Sequence, residues 1–215
     1  MKIIKKVIVS SALAVALVSA TSSTALTEES GLFAGVGAGY GMANIHSHSG
    51  SSGTDVSIDF KDKGIAYEVI AGYKHFFTPS LGFRLFGSFI YTDAKHKADG
   101  ISTKANVMTY SANFDALYNL ITSEPTNLGI FVGIGVGANT WGGKAFDDIP
   151  DNIKTTKTSF DFALNVGLRG VFAKHHGVEI AARVPFEEQY IYNFYLEQLI
   201  VAYKYNVGAR YIYNF

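Results

Sequence analysis

Met108-Thr109-Tyr110-Ser111-Ala112-Asn113-Phe114-Asp115-Ala116-Leu117-Tyr118-Asn119 is the stretch that decides the fold. One alternate set, Met108, Tyr110, Ala112, Phe114, Ala116 and Tyr118, is apolar, while the other carries Thr109, Ser111, Asn113, Asp115 and Asn119. Successive side chains of a strand point to opposite faces, so this period of two marks a strand with one apolar and one polar environment. The polar set is short and carries a single charge, unlike a water-washed surface, which is dense in Lys and Glu.

Working outward, the same period recurs on both sides. Leu32, Ala34, Val36, Ala38, Tyr40 and Met42 alternate with positions that are all glycine from Gly35 to Gly41. Ile65, Tyr67, Val69, Ala71, Tyr73 and Phe77 interleave with Glu68, Gly72 and Lys74, and Leu81, Phe83, Leu85, Phe89 and Tyr91 with Gly82, Arg84, Ser88 and Thr92. Downstream, Leu128 to Val136 alternates with glycines, and Phe160 to Leu168 with Asp161, Asn165, Gly167 and Arg169. Val178 to Phe186 alternates with Glu179, Ala181 and Arg183. Last, Val201, Tyr203, Tyr205, Val207, Tyr211, Tyr213 and Phe215 alternate with Lys204, Asn206, Gly208, Arg210 and Asn214.

Eight such segments are an even number, each about the length of a tilted membrane-spanning strand. A soluble lipocalin also has eight alternating strands, with its apolar face turned inward around a ligand. The polar face separates the two. Gly, Ala, Ser and Asn with isolated charges suit the narrow interior of an eight-stranded barrel, which side chains just fill. The apolar face is therefore expected to point outward, into lipid.

The connections alternate long and short, as in outer-membrane barrels. Long loops are expected near residues 43–63, 93–103, 141–157 and 187–198, with short turns at Thr78–Ser80, Thr122–Asn127 and Lys174–Gly177. That phase places both termini in the periplasm. Phe77, Phe83, Tyr118, Tyr211 and Tyr213 then gather at the periplasmic rim, and Tyr91, Tyr110 and Tyr203 at the other, as interfacial girdles do.

The N-terminus fits export. Lys2, Lys5 and Lys6 precede an apolar run from Val7 to Val18, followed by small residues, giving a signal peptide over 1–20 with an alternative cleavage after 25. The run falls short of the roughly 20 apolar residues of a membrane anchor. The expected fold class is all-β: an eight-stranded antiparallel transmembrane β-barrel of the outer membrane over residues 31–215. Charged residues make up 17% of the chain against about 25% in soluble domains, which agrees with that placement. The 215 residues include no cysteine, which excludes a disulfide-stapled module. Zero net charge and the lack of a basic tract exclude a nucleic-acid partner.

Several motifs resemble a known family. Phe114-Asp115-Ala116-Leu117-Tyr118-Asn119, Gly133-Ile134-Gly135-Val136-Gly137-Ala138-Asn139-Thr140-Trp141-Gly142 and Asn165-Val166-Gly167-Leu168-Arg169 resemble the barrel domain of the Helicobacter outer membrane protein family, of the Hop and Hor type. So do Gly177-Val178-Glu179-Ile180, Arg183-Val184-Pro185 and the closing Asn206-to-Phe215 strand. The resemblance covers Asn113 to Phe215 and implies an outer-membrane barrel. It also implies that Tyr211, Tyr213 and Phe215 form the aromatic signal read by the barrel-assembly machinery. Larger members carry an adhesive domain after the first strand, where this chain has only the Ser-, Gly- and His-rich segment 43–63.

Inward charges form the candidate site. Glu68, Lys74, Arg84, Asp115, Asp161, Arg169, Glu179, Arg183, Lys204 and Arg210 all fall on the polar face. Lys74, Arg84 and Asp115 are expected as one group, and Arg169, Glu179 and Arg210 as a second. An unpaired buried ion costs several kcal/mol, so a structural network is the plain reading and a gated ion path the sharper one. His46 and His48 lack the further ligands of a defended metal site. Gly133 to Ala138 matches a dinucleotide fingerprint only superficially, because no helix follows. Asp147, Asp148, Asp151 and His96 show no serine–histidine pairing.

No catalytic, cofactor-binding or metal residue is assigned, and no enzyme activity is expected. The expected partners are outer-membrane lipid, lipopolysaccharide and the assembly machinery. The ring-rich stretch Tyr190, Tyr192, Phe194 and Tyr195 is a candidate contact for a host or surface ligand. A narrow porin-like channel and a loop-mediated adhesin are the alternatives to an envelope-structural role.

Overall fold

A computed structural model of the chain describes residues 28–51, 54–98, 101–123, 126–143, 157–186, 189–194 and 197–215. The expected signal peptide lies outside the described residues, as do Asp147, Asp148 and Asp151. Every regular element described is a strand: β1 Gly31–Ser51, β2 Thr54–Phe76, β3 Leu81–Ala98, β4 Ile101–Ser123, β5 Thr126–Gly142, β6 Thr158–Phe172, β7 His176–Pro185, β8 Gln189–Phe194 and β9 Glu197–Asn214.

Neighbours in sequence pair antiparallel, and β9 closes back on β1 through Phe33↔Asn214 to Ser49↔Glu197. β7 and β8 pair in turn with the same edge of β9, so the nine elements fill eight positions of a closed barrel. The break between them follows Pro185, which has no N–H to give to a ladder. Seven residues from Arg183 to Gln189 oppose six from Asn206 to Val201, the extra residue absorbed at the break.

Where the strand side chains are described, their direction follows the expected phase almost throughout. Val36, Tyr40, Val69, Leu85, Phe114, Val132, Leu168 and Ile180 point outward, with Tyr40 65% exposed. Asp115, Asp161, Asn113, Asn165 and Ser111 point inward and are buried.

One stretch departs from it. The β1–β9 register steps from Met42↔Tyr205 to Ala43↔Tyr203, skipping Lys204. A bulge of one residue reverses the faces beyond it. Tyr203, expected in the outward girdle, therefore points inward, 2% exposed, its hydroxyl 2.9 Å from Thr92 Oγ1. Lys204, expected among the inward charges, is half-exposed at the bulge.

Three segments expected as loops are largely hairpin ladder. The β1–β2 ladder reaches Ser51↔Thr54, the β3–β4 ladder Ala98↔Ile101, and the β8–β9 ladder Phe194↔Glu197. Val56, Ile58 and Phe60 alternate with Ser57, Asp59 and Lys61, so the strand pattern of β2 begins inside the segment 43–63. The short turns share the end of the barrel where β1 starts and β9 finishes. At Phe77–Ser80, Thr78 Oγ1 accepts hydrogen bonds from the Leu81 and Ser80 amides at 2.9 and 3.3 Å. At Ala173–His175, Ala173 and Lys174 take left-handed φ values of 48° and 64°.

Close strand approach at the β1–β9 seam depends on glycine. Gly39 and Gly208 face each other in register, and a Cβ on Gly39 would stand 2.5 Å from the Gly208 Cα. Any side chain there collides with backbone that cannot yield.

Candidate functional site: a charge network across the lumen

The inward charges converge because the barrel is narrow and strand tilt brings distant positions to one level. Arg84 on β3 donates from Nε to Asp115 Oδ2 on β4 at 2.9 Å and from Nη1 to Glu179 Oε1 on β7 at 2.5 Å. β3 and β7 are separated by three strands on either side, so this pair spans the full diameter. Glu179 also stands 3.6 Å from Arg210 Nη1 and 4.0 Å from Arg169 Nε. Arg210 in turn grips Glu68 bidentately, at 2.6 and 2.8 Å. The two groups expected from sequence are thus one, joined at Arg84–Glu179.

Toward the long-hairpin end, Arg183 donates to Asp161, and to Asn113 and Asn165 at 3.0 and 3.1 Å. Asn165 Nδ2 donates to Asp115 at 3.2 Å, linking this layer to Arg84. Asn139 donates from Nδ2 to Asp161 at 3.1 Å and accepts at Oδ1 from the Thr109 hydroxyl at 2.5 Å. Gly135 keeps this layer open: a Cβ there would lie 2.5 Å from Arg183 Nη1.

At the short-turn end the network finishes on a residue outside the alternating segments. Glu28, upstream of β1, is fully buried inside the barrel. Its carboxylate accepts hydrogen bonds from Lys74 Nζ at 2.7 Å, Asn119 Nδ2 at 3.1 Å and Arg169 Nη1 at 2.9 Å, and from Arg169 Nη2. Burial on its own would raise the Glu28 pKa, but the Arg169 guanidinium and the Lys74 ammonium outweigh it and hold the pKa down at about 2. With Glu28 counted, Lys74, Arg84, Arg169, Arg183 and Arg210 are matched by Glu28, Glu68, Asp115, Asp161 and Glu179. The network is neutral, which is what a low-dielectric lumen requires.

Apolar side chains fill the rest of the interior, another feature the alternation did not announce. Phe33, Ile70, Phe86 and Ile212 form one buried cluster, and Phe76, Leu117, Phe131 and Ala181 another. The Arg84 guanidinium sits 4.4 Å from the Phe131 ring centre and 4.9 Å from that of Phe86, close enough for cation–π attraction from both. At the long-hairpin end Val107, Trp141 and Tyr203 are buried across the lumen. Two voids, one beside Glu68, Arg183 and Arg210 and one beside Lys74, Arg84 and Glu179, each have room for about one water molecule.

Outside, the rings at the short-turn rim form a belt. Phe83 stacks on Phe114 at 5.7 Å and approaches Phe77 at 5.5 Å. Tyr211, Tyr213 and Phe215 point outward in one row, with Tyr213 and Phe215 5.2 Å apart. Tyr190, Tyr192 and Phe194 fall on β8, but their side chains lie outside the described residues, as do Tyr195 and the side chains of His46, His48 and His96. Large apolar side chains are exposed on every strand from β1 to β7 and on β9, and lipid is the natural solvent for such a surface.

No curated protein matches the chain by sequence. Among solved structures, the outer membrane protein OprG from Pseudomonas aeruginosa is similar, with TM-score 0.53 and 13% identity, over 89% of this chain and 100% of that one. Neisserial surface protein A aligns over 87% of this chain and 100% of its own, with 18% identity and TM-score 0.39. Ail, the attachment invasion locus protein of Yersinia pestis, aligns over 85% and 99% respectively, with 14% identity and TM-score 0.36. The family model described as Helicobacter outer membrane protein matches residues 68–215, extending the likeness upstream of Asn113 into β2. The chain belongs to the Helicobacter outer membrane protein family.

Proposed function

We propose that the protein is a non-enzymatic outer-membrane barrel, sealed through its lumen, that serves envelope structure and offers its long hairpins for surface interaction. The observation that carries the reading is the 2.5 Å Arg84–Glu179 pair, which joins opposite walls and crosses the lumen at that level. A porin-like role needs a passage, and this cross-section is occupied by paired charges and by the Phe131 ring against Arg84. The short turns face the periplasm in this reading, since outer-membrane barrels keep their short connections there.

Lipid and lipopolysaccharide are the partners of the outward belt. The row Tyr211, Tyr213 and Phe215 is offered to the assembly machinery. A host or surface ligand would meet the hairpins that include Tyr190, Tyr192, Phe194 and Tyr195. A strain lacking the protein tests the structural role: detergent sensitivity and leakage of periplasmic enzymes are expected to rise and to be restored by the wild-type chain. An envelope as tight as the parent's would contradict it.

A further inference from the structure

Lys74, Asn119 and Arg169 come from β2, β4 and β6, and all three are buried at the short-turn end of the lumen. Together they direct an ammonium, an amide and a guanidinium fork at one point, a donor set that matches the two oxygens of a carboxylate. Asn119 is itself held, its side-chain oxygen accepting from Arg169 Nη1 at 2.9 Å and its amide donating to the Pro79 carbonyl at 3.2 Å. The receptor is therefore assembled by barrel strands and by the Phe77–Ser80 turn. The group that fills it comes from none of them.

Glu28 enters from the segment preceding β1. Two neighbours fasten that segment to the rim: Ser30 Oγ accepts from the Phe76 amide at 2.9 Å, and Glu29 pairs with Lys174 at 3.1 Å on the exposed side. The Lys174 contact is exposed and contributes little. The buried carboxylate is the anchor.

We propose that the floor of the barrel is a carboxylate-binding site built by Lys74, Asn119 and Arg169, with Glu28 as its resident, intramolecular ligand. The residues 28–30 act as a latch: Glu28 supplies the negative charge that lets two buried cations share the floor. When the resident carboxylate is removed, the site accepts a small free carboxylate in its place.

Chemical rescue tests this. Glu28→Ala leaves the cations unmatched and the space open, whereas Glu28→Gln removes the charge but fills the space. The full-length mature chain and both variants are folded in detergent micelles, and their thermal unfolding midpoints are compared in sodium formate and in sodium chloride of equal ionic strength. The expected result is a lowered midpoint for both variants in chloride. Formate then recovers most of the loss for Glu28→Ala in a saturable way, with no gain for Glu28→Gln or wild type. Should Glu28→Ala not fold in chloride, folding in formate supports the site and failure in both salts overturns it. The proposal is also overturned if formate raises all three chains alike, or if Glu28→Ala matches wild type in chloride.

Discussion

Arg84 and Glu179 join opposite walls of the barrel, Nη1 to Oε1 at 2.5 Å, from β3 to β7. The pair ties the two walls to each other across the full diameter. It also makes Glu179 the hub of the network, with guanidinium nitrogens of Arg210 and Arg169 at 3.6 and 4.0 Å.

Replacing Glu179 by Ala leaves three guanidiniums sharing too few carboxylates. Removing one partner of a buried ion pair costs about 3–5 kcal/mol, and the loss is expected in that range here. Urea unfolding of the barrel in micelles reads it. A midpoint equal to wild type would mean that the network carries no stability.

Glu28 predicts a pH dependence. Its folded pKa of about 2 lies below the ordinary 4.5, so its contribution is fully present above 4.5 and is lost as pH falls from there through about 2. The difference in unfolding midpoint between wild type and Glu28→Gln should stay constant at neutral pH and shrink only in that acidic window. A difference that fades already near neutrality, or persists undiminished at pH 2, would contradict the assignment.

Much of this fold was legible because a membrane barrel writes its two environments into alternate residues. Val36 and Tyr40 outside, Asp115 and Asn113 inside, and the β9–β1 closure all follow from period two and the loop phase. Glu28 was not legible in that way, since it precedes the first alternating strand and its place in the network does not follow from strand parity. A charge count does hint at it. The inward residues expected from sequence held six cations, Lys204 included, against four carboxylates, an imbalance that a narrow lumen does not tolerate. Tyr203 and Lys204 were misplaced because a bulge is a property of register between two strands, not of one strand's pattern. The inward Phe86 and Phe131 sit within runs of consecutive apolar residues, Leu85-Phe86 and Ile130-Phe131-Val132, where alternation is silent.

The reversed face at the bulge gives its own test. Tyr203→Phe removes a buried hydroxyl from Thr92 and should cost about 0.5–1.5 kcal/mol, while Tyr40→Phe, on the outer face, should be nearly neutral. Equal effects from both would return Tyr203 to the outer girdle.

Two glycines predict overpacking. Gly39→Ala meets the β9 backbone at the closing seam, and Gly135→Ala meets Arg183 and Asn113 in the lumen. Each should destabilise by about 1–3 kcal/mol, and the first should also slow folding into micelles, because β1–β9 pairing closes the barrel. Folding rates and midpoints matching wild type would show that the strands have room to spare.

The most direct test of a sealed lumen is single-channel recording of the purified wild-type barrel in planar bilayers, beside Glu179→Ala. The wild type is expected to insert and remain silent across applied voltage, with any ion-conducting events confined to the variant whose cross-lumen pair is broken. Steady, reproducible conductance steps from the wild type would contradict the account and make the protein a pore.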